Sequence, residues 1–361
     1  MLADLRAAAR ALRRSPGFSL LVVLVLALGI GVNVATFGAV DALLFRPPAA
    51  VRDPGGVRRL RVDMPRATSG VSFNNGLSLP DLDAVAARRG AFTATGAYLT
   101  NFTVVGRGAG ARKATVAIVV GDYFRALGVR PALGRLLTAA DAAPAAPPMV
   151  VATYAFWRAA LAGAPGLVGR TIVVAGHPVT LVGVAERDFA GVELQPADLM
   201  GSLATAAAMG MPVEALRGTD FKMFEGVARL APGVDPRGAA AAATAAVRGV
   251  DAVGPRPVLG TDVRSGRVVR ADPLHDYYGG DFIGRGSPVP LWMLGATGAV
   301  LLVVCANVAN LLLVRAERRR REIATRLAVG AAAGRIVRQL FAEGVVLAAF
   351  GGTLGLALAA A

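Results

Sequence analysis

Three consecutive pieces of the chain decide its fold: LWMLGATGAVLLVVCANVANLLLV at residues 291–314, RAERRRREIATRLAVGAAAGRIVR at 315–338, and GVVLAAFGGTLGLALAAA at 344–361. The first carries no charged side chain. At a helical rise of about 1.5 Å per residue it is long enough to cross a hydrocarbon core about 30 Å thick. The second carries Arg315, Arg318, Arg319, Arg320, Arg321, Arg326, Arg335 and Arg338 against Glu317 and Glu322. Short arginine-rich loops stay in the cytoplasm, so this block orients the spans on either side of it. The third piece is again uncharged. These stretches predict a membrane protein with α-helical transmembrane spans.

Composition says that the spans are only part of the molecule. The hydrophobic share is 55% and the mean hydropathy +0.55, too apolar for an ordinary soluble protein, yet the apolar runs are continuous only in places. The formal charge of +15 and a pI near 11.3 would fit a nucleic-acid partner if the arginines shared one soluble face. Instead Arg6, Arg10, Arg13 and Arg14, with the 315–338 block, flank spans, so positive-inside bias is the better account and no nucleic acid is expected. The single cysteine, Cys305, lies inside a span, so an extramembrane domain must hold together without disulfides.

Taken in order, residues 1–17 place Leu2, Leu5 and Leu12 beside the four arginines, the pattern of a basic amphipathic helix ended by Ser15-Pro16-Gly17. Phe18–Val40 is uncharged and longer than the apolar core of a signal peptide, which makes residues 18–45 a first span. From 46 to 288 the apolar runs shorten to strand length and turn signals recur, predicting one inserted α+β domain. Within it a short helix is expected over Asp81–Arg89, and strands over Ala114–Val120 and Met149–Ala152. Thr171–Ala175 and Val179–Val184 read as a hairpin turning at Gly176-His177-Pro178. A strand over Phe221–Leu230, a turn at Ala231-Pro232-Gly233 and a helix over Arg237–Val247 follow, and Pro144, Pro147 and Pro148 mark a loop. A second span over 289–314, a cytoplasmic basic segment over 315–338 and a third span over 339–361 complete the order. The third span stops at Ala361 with no flanking charge, so the chain reads as incomplete.

No catalytic or metal site is expected. A phosphate loop needs glycine before its lysine, and Lys113 and Lys222 follow Arg112 and Phe221. His177 falls in a turn, and His275-Asp276-Tyr277 has no nucleophile motif beside it. The polar residues inside the spans are more informative. Asn33, Asn307 and Asn310 are amides that neighbouring helices can satisfy, Glu343 is an interfacial carboxylate within reach of Arg335 or Arg338, and Gly29 and Gly31 permit close helix approach. In the basic segment Ile323 and Leu327 stand at i and i+4 with Arg319, Glu322 and Arg326 around them, an apolar ridge with charges, before Gly330–Gly334 permits a turn.

The run Arg321-Glu322-Ile323-Ala324-Thr325-Arg326-Leu327-Ala328-Val329-Gly330-Ala331, with Arg335-Ile336-Val337-Arg338-Gln339-Leu340 and Glu343, resembles the signature that follows the second span of FtsX-like, MacB-type ABC permeases. Gly121-Asp122-Tyr123-Phe124, Leu127-Gly128-Val129, Leu133-Gly134-Arg135, Val168-Gly169-Arg170-Thr171 and Val182-Gly183-Val184 resemble the MacB-type periplasmic core domain. Arg14-Ser15-Pro16-Gly17-Phe18 with Leu28-Gly29-Ile30-Gly31 is similar to the opening of large duplicated permeases of acidobacterial type. Leu327 and Gly344 stand where that family more often has arginine and serine, and its second half and fourth span have no counterpart here. The resemblance implies a permease component in the bacterial inner membrane, N-terminus cytoplasmic and large domain periplasmic. It implies a separate cytoplasmic ABC ATPase carrying the ATP, so that this chain has no cofactor of its own. It also implies a second permease half or a homodimer and a periplasmic partner, in export or efflux. The alternative is a non-transporting relay to an envelope enzyme, or an inactive fragment. The residues it implies for ATPase coupling are Arg319, Glu322, Ile323, Arg326, Leu327 and Gly330.

Overall fold

The computed structural model describes residues 16–44, 48–63, 76–193, 195–253, 266–274, 289–328 and 333–360. The helix expected over 1–14, Gly330 and His275-Asp276-Tyr277 lie outside them. The chain divides into two compact units, one built from its two ends (1–45 and 278–361) and one from residues 46–277.

Three helices of the first unit are long and apolar enough to cross a membrane: α1 (Pro16–Leu44), α8 (Val289–Arg318) and α10 (Ala333–Ala360), the numbers running along the chain. A short helix, α9 (Arg320–Ala328), lies between the last two. The basic stretch 315–338 is therefore not one segment, because α8 continues through Arg315 to Arg318 and α10 has begun by Ala333. Arginine, alanine and glutamate are good helix formers, so the charge boundary does not end the helix. Glycine sets how closely the spans pack. A Cβ on Gly29 would lie 2.3 Å from Val304 Cγ2 of α8, one on Gly351 2.5 Å from Leu26 Cβ, and one on Gly355 2.9 Å from the Ala27 carbonyl oxygen. Gly351 and Gly355 are four apart, as are Ala27 and Gly31, so the α1–α10 contact is a small-xxx-small crossing on both helices.

The second unit is organised on a ten-stranded sheet. Its strands are β1 (Val57–Asp63), β2 (Phe92–Val105), β3 (Arg112–Gly121), β4 (Pro131–Gly134), β5 (Met149–Ala152), β6 (Thr171–Val174), β7 (His177–Ala185), β8 (Leu199–Gly201), β9 (Glu225–Leu230) and β10 (Val268–Pro273). They lie in the order β10-β1-β9-β2-β3-β8-β5-β7-β4, with β6 pairing β2 and β7. Pairing is antiparallel except for β3–β8 and β5–β7. The centre of β3 shows why its sequence reads as a continuous β-branched run. Ala114, Val116, Ile118 and Val120 enter one buried cluster, with Leu181, Leu199 and Phe224, while Ala117 and Val119 enter another, with Tyr98, Phe124 and Val227. Both faces are covered, so alternation gives way to uniform apolarity.

Helices α2 (Leu79–Ala86), α3 (Tyr123–Leu127), α4 (Tyr154–Ala160), α5 (Leu203–Ala208), α6 (Val213–Arg217) and α7 (Pro236–Val253) complete this unit. Helix α2 starts on a capping box: Asp81 N donates to Ser78 Oγ (3.2 Å) and Ser78 N to Asp81 Oδ2 (2.9 Å). Helix α7 buries Ala239, Ala243, Ala246 and Val247 on one stripe, so its alanine-rich sequence is a thin packing face. The predicted hairpin is present, but its turn is Ala175-Gly176, with φ of 51° and 82°. His177 and Pro178 already belong to β7, paired with Val174 and Val173. Positive φ at both positions is the two-residue turn whose twist suits a hairpin. The family-like glycine motifs meet in space. Gly134 pairs with Gly183, and a Cβ on Gly183 would lie 2.1 Å from the Arg135 carbonyl oxygen.

Arg267 is fully buried beside the start of β10, with Nη2 2.7 Å from Asp81 Oδ2 and Nη1 2.7 Å from Asp251 Oδ1; Lys222 reaches the same Asp251 oxygen at 3.2 Å. Two cations and two carboxylates thus tie α2, α7 and β10 together. Removing one member of a buried pair typically costs about 3–5 kcal/mol. Asp81→Ala, which also removes the α2 cap, is expected to destabilise a 46–277 fragment by about that amount in urea unfolding. A loss below about 1 kcal/mol would show that the network is solvated.

Candidate functional site

The polar residues of the membrane unit converge where α8 gives way to α9. The main chain turns at Arg319, whose N donates to the carbonyls of both Arg315 (3.2 Å) and Ala316 (3.1 Å). This shared bond closes α8 and lets α9 leave in a new direction. The Arg319 side chain turns onto Glu343 of α10, with Nη1 3.1 Å from Oε1 and 3.3 Å from Oε2. Arg315, one turn earlier on α8, brings Nη2 to 3.2 Å from the same Oε2, and its guanidinium lies 4.6 Å from the ring centroid of Phe18 on α1. Glu343 is 3% exposed. One buried carboxylate therefore joins two arginines of α8 and its end, and a cation–π contact extends the cluster to the first span, α1.

Two expectations change here. Glu343 is held by Arg315 and Arg319, from the end of α8 and the turn after it. A charge on another element can neutralise it without an i, i−4 partner, and that pairing has no sequence spacing to reveal it. Arg319 is accordingly engaged inside the unit rather than presented outward. Glu322, Ile323, Arg326 and Leu327 all fall on α9. Glu317 and Arg320 form an exposed ion pair across the α8–α9 break at 3.2 Å.

The span amides also behave differently from expectation. Asn33 Nδ2 donates to Gly29 O of its own helix at 2.7 Å, so it does not bridge helices. Asn307 and Asn310 are exposed on α8, outside the packing among these three helices. Their neighbours Leu302 and Leu313 are exposed as well, at 72% and 69%.

In the second unit a cleft of about 340 Å³ opens between α2, the end of β3, residues 139–144 and the α5–α6 region, lined by Leu79, Leu82, Val120, Pro144, Leu203 and Arg217 among others. Asp83 stands at its wall, and partial burial raises its carboxyl despite the opposing Arg217 guanidinium. A separate polar cluster crosses the sheet face. Arg59, 1% exposed, hydrogen-bonds Tyr98 Oη, reaches Glu225 Oε2 at 2.6 Å and donates from Nη2 to Val192 O at 3.0 Å. Tyr98 Oη donates to the same Glu225 oxygen at 2.9 Å. Burial pushes the neighbouring Glu193 carboxyl up and the Glu225 carboxylate pushes it the same way, against a hydrogen bond from Thr100 and the Arg59 charge. Among the described residues no three His, Cys, Asp or Glu side chains group as a metal site would need.

Two family models match the chain. Residues 19–274 match the MacB-like periplasmic core domain, and residues 294–361 match the FtsX-like permease C-terminal region. Over 68 residues the chain is 44% identical to the pyoverdine export ATP-binding/permease protein PvdT of Pseudomonas aeruginosa and 43% identical to the macrolide export ATP-binding/permease protein MacB of Shewanella sp. (strain W3-18-1). These matches cover 19% of this chain and 10% of each relative. The periplasmic region of MacB from Actinobacillus actinomycetemcomitans aligns with 56% of this chain and 88% of its own length, at 14% identity and a TM-score of 0.42. The extracellular domain of the noncanonic ABC-type transporter YknZ from Gram-positive bacteria aligns with 53% and 93%, at 10% identity and a TM-score of 0.40. With the core-domain match covering most of its length and the permease match carrying its last two spans, the chain belongs to the MacB/FtsX-like ABC permease family.

Proposed function

We propose that the chain is the transmembrane subunit through which a separate cytoplasmic ATPase drives a periplasmic domain, in export or efflux. The observation that carries this reading is α9. It is a short, strongly basic helix set between two spans, and Arg319 at its base is fastened directly to the buried carboxylate of the next span. An ATPase needs a rigid handle, and a helix joined to the spans by one turn and one ion pair is such a handle. The two relatives are named as export proteins with ATP-binding and permease parts. The exposed face of α8, with Asn307 and Asn310 among apolar side chains, would take a further helix from a second permease half or a second copy, because an unpaired amide facing lipid is costly.

In this reading α9 faces the cytoplasm of a bacterial inner membrane and the 46–277 unit faces the periplasm. In a Cys305→Ser background, Arg112→Cys should react with an impermeant maleimide in intact spheroplasts, and Thr325→Cys only after permeabilisation. The opposite pattern would reverse the topology.

Docking through α9 is expected to depend on its apolar ridge more than on any one charge. Ile323→Asp should abolish pull-down of a nucleotide-binding subunit that the wild-type chain captures, since an unpaired carboxylate in an interface costs several kcal/mol. Arg320→Ala, at a side chain 78% exposed, should change affinity by less than about fivefold, the worth of a rim charge. Equal binding by wild type and Ile323→Asp would leave α9 as a topology anchor only.

A further inference from the structure

The Glu343 cluster has an asymmetry that charge neutralisation alone does not require. Two guanidinium groups share one carboxylate, but they do not share it equally. Arg319 hydrogen-bonds both oxygens, at 3.1 and 3.3 Å, whereas Arg315 comes within 3.2 Å of Oε2 without hydrogen-bond alignment. Both terminal nitrogens of Arg315 are buried and have no hydrogen-bond partner among the described residues. Buried donors left unmade are unfavourable, so Arg315 is a second seat for the carboxylate, occupied only in part. The two seats belong to different moving parts. Arg319 is the one residue between α8 and α9 and must follow α9 when that helix turns. Arg315 lies within α8 and is stacked on Phe18 of α1.

We propose that Glu343 is a two-position pivot that sets the orientation of α9 and passes its rotation to the spans. With α9 as seen here, the carboxylate sits on Arg319. When α9 turns and draws Arg319 away, the carboxylate moves fully onto Arg315, making the hydrogen bonds its terminal nitrogens now lack and shifting α10 relative to α8 and α1. Discrete pairings of this kind make a packed element bistable rather than continuously deformable. Glu343 is thus a positioning residue that acts on α9 through two arginines. The inference rests on the reading of α9 as the ATPase-docking helix for its purpose, though not for its geometry.

The test uses the complete chain in nanodiscs, in a Cys305→Ser background, with spin labels at Thr325→Cys on α9 and Leu354→Cys on α10. Pulsed electron resonance reads the distance between them. The wild-type cluster should give one narrow distance. Arg319→Ala should move it to a second distance, Arg315→Ala should leave it in place, and Glu343→Gln should broaden it by at least about twofold. Because Glu343→Gln can also act by loosening the fold, Glu343→Asp, which keeps the carboxylate, is the control, and it should keep the narrow wild-type distance. An unchanged distribution in Glu343→Gln, or the same response to Arg315→Ala and Arg319→Ala, would overturn the pivot. A second arm adds the nucleotide-binding subunit with MgATP and vanadate, which should drive the wild-type pair to the Arg319→Ala distance. No response in that arm, with the first arm as expected, would overturn the coupling role of α9 and leave the pivot standing.

Discussion

A carboxylate cannot enter the apolar end of a membrane helix alone, and Glu343 enters α10 just ahead of its uncharged run. Several kcal/mol separate a paired from an unpaired ion in such a place. The arginines that meet it come from the end of α8 and the turn after it, so the same contact that makes Glu343 tolerable also fixes where α8 ends and where α9 departs. Arg315 then draws Phe18 of α1 into the cluster. With the helix ends pinned, the glycines can do the rest. The α1–α10 approach at Gly351 and Gly355 and the α1–α8 approach at Gly29 hold only because no Cβ intervenes.

The extramembrane unit uses buried guanidinium groups in a similar way. Arg267 joins Asp81, 186 residues earlier, and Arg59 joins Glu225, 166 residues later. Arg229 likewise donates to the carbonyls of Ala126 and Arg52. A domain without a disulfide closes long loops by such links, each of which is favourable only when its partners complete it. The arginine excess that reads as a topology signal is thus also, in part, internal structure.

The parts that could be read from the sequence were those set by one-dimensional patterns. Uncharged length marked the spans, the β-branched run marked β3, and the 175–178 region marked a hairpin, misplaced by a residue or two because Pro178 looked like a turn former and instead occupies a sheet strand. β2 has no strand signal because it mixes Thr, Gly and Asn with its apolar residues, and β10 none because six residues of mixed charge carry no period. Gly351 and Gly355 have a four-residue spacing legible in the sequence, unlike the less regular Gly29 and Gly31. The Glu343 partners could not be read at all. Carboxylate and guanidinium are 24 and 28 residues apart on separate helices, and spacing along one helix pointed to Arg335 and Arg338 instead. For the same reason the buried Arg267–Asp81 and Arg59–Glu225 pairs looked like ordinary surface charges in composition.

The hold of α9 on the spans depends on energetic coupling between Glu343 and Arg319 in the membrane. A double-mutant cycle over Glu343→Gln and Arg319→Gln, read from reversible unfolding of the reconstituted chain, isolates that term. A coupling of about 1–3 kcal/mol is expected for a half-buried ion pair in one network. A value indistinguishable from zero would mean that the pair is incidental and that something else holds α9 to the spans.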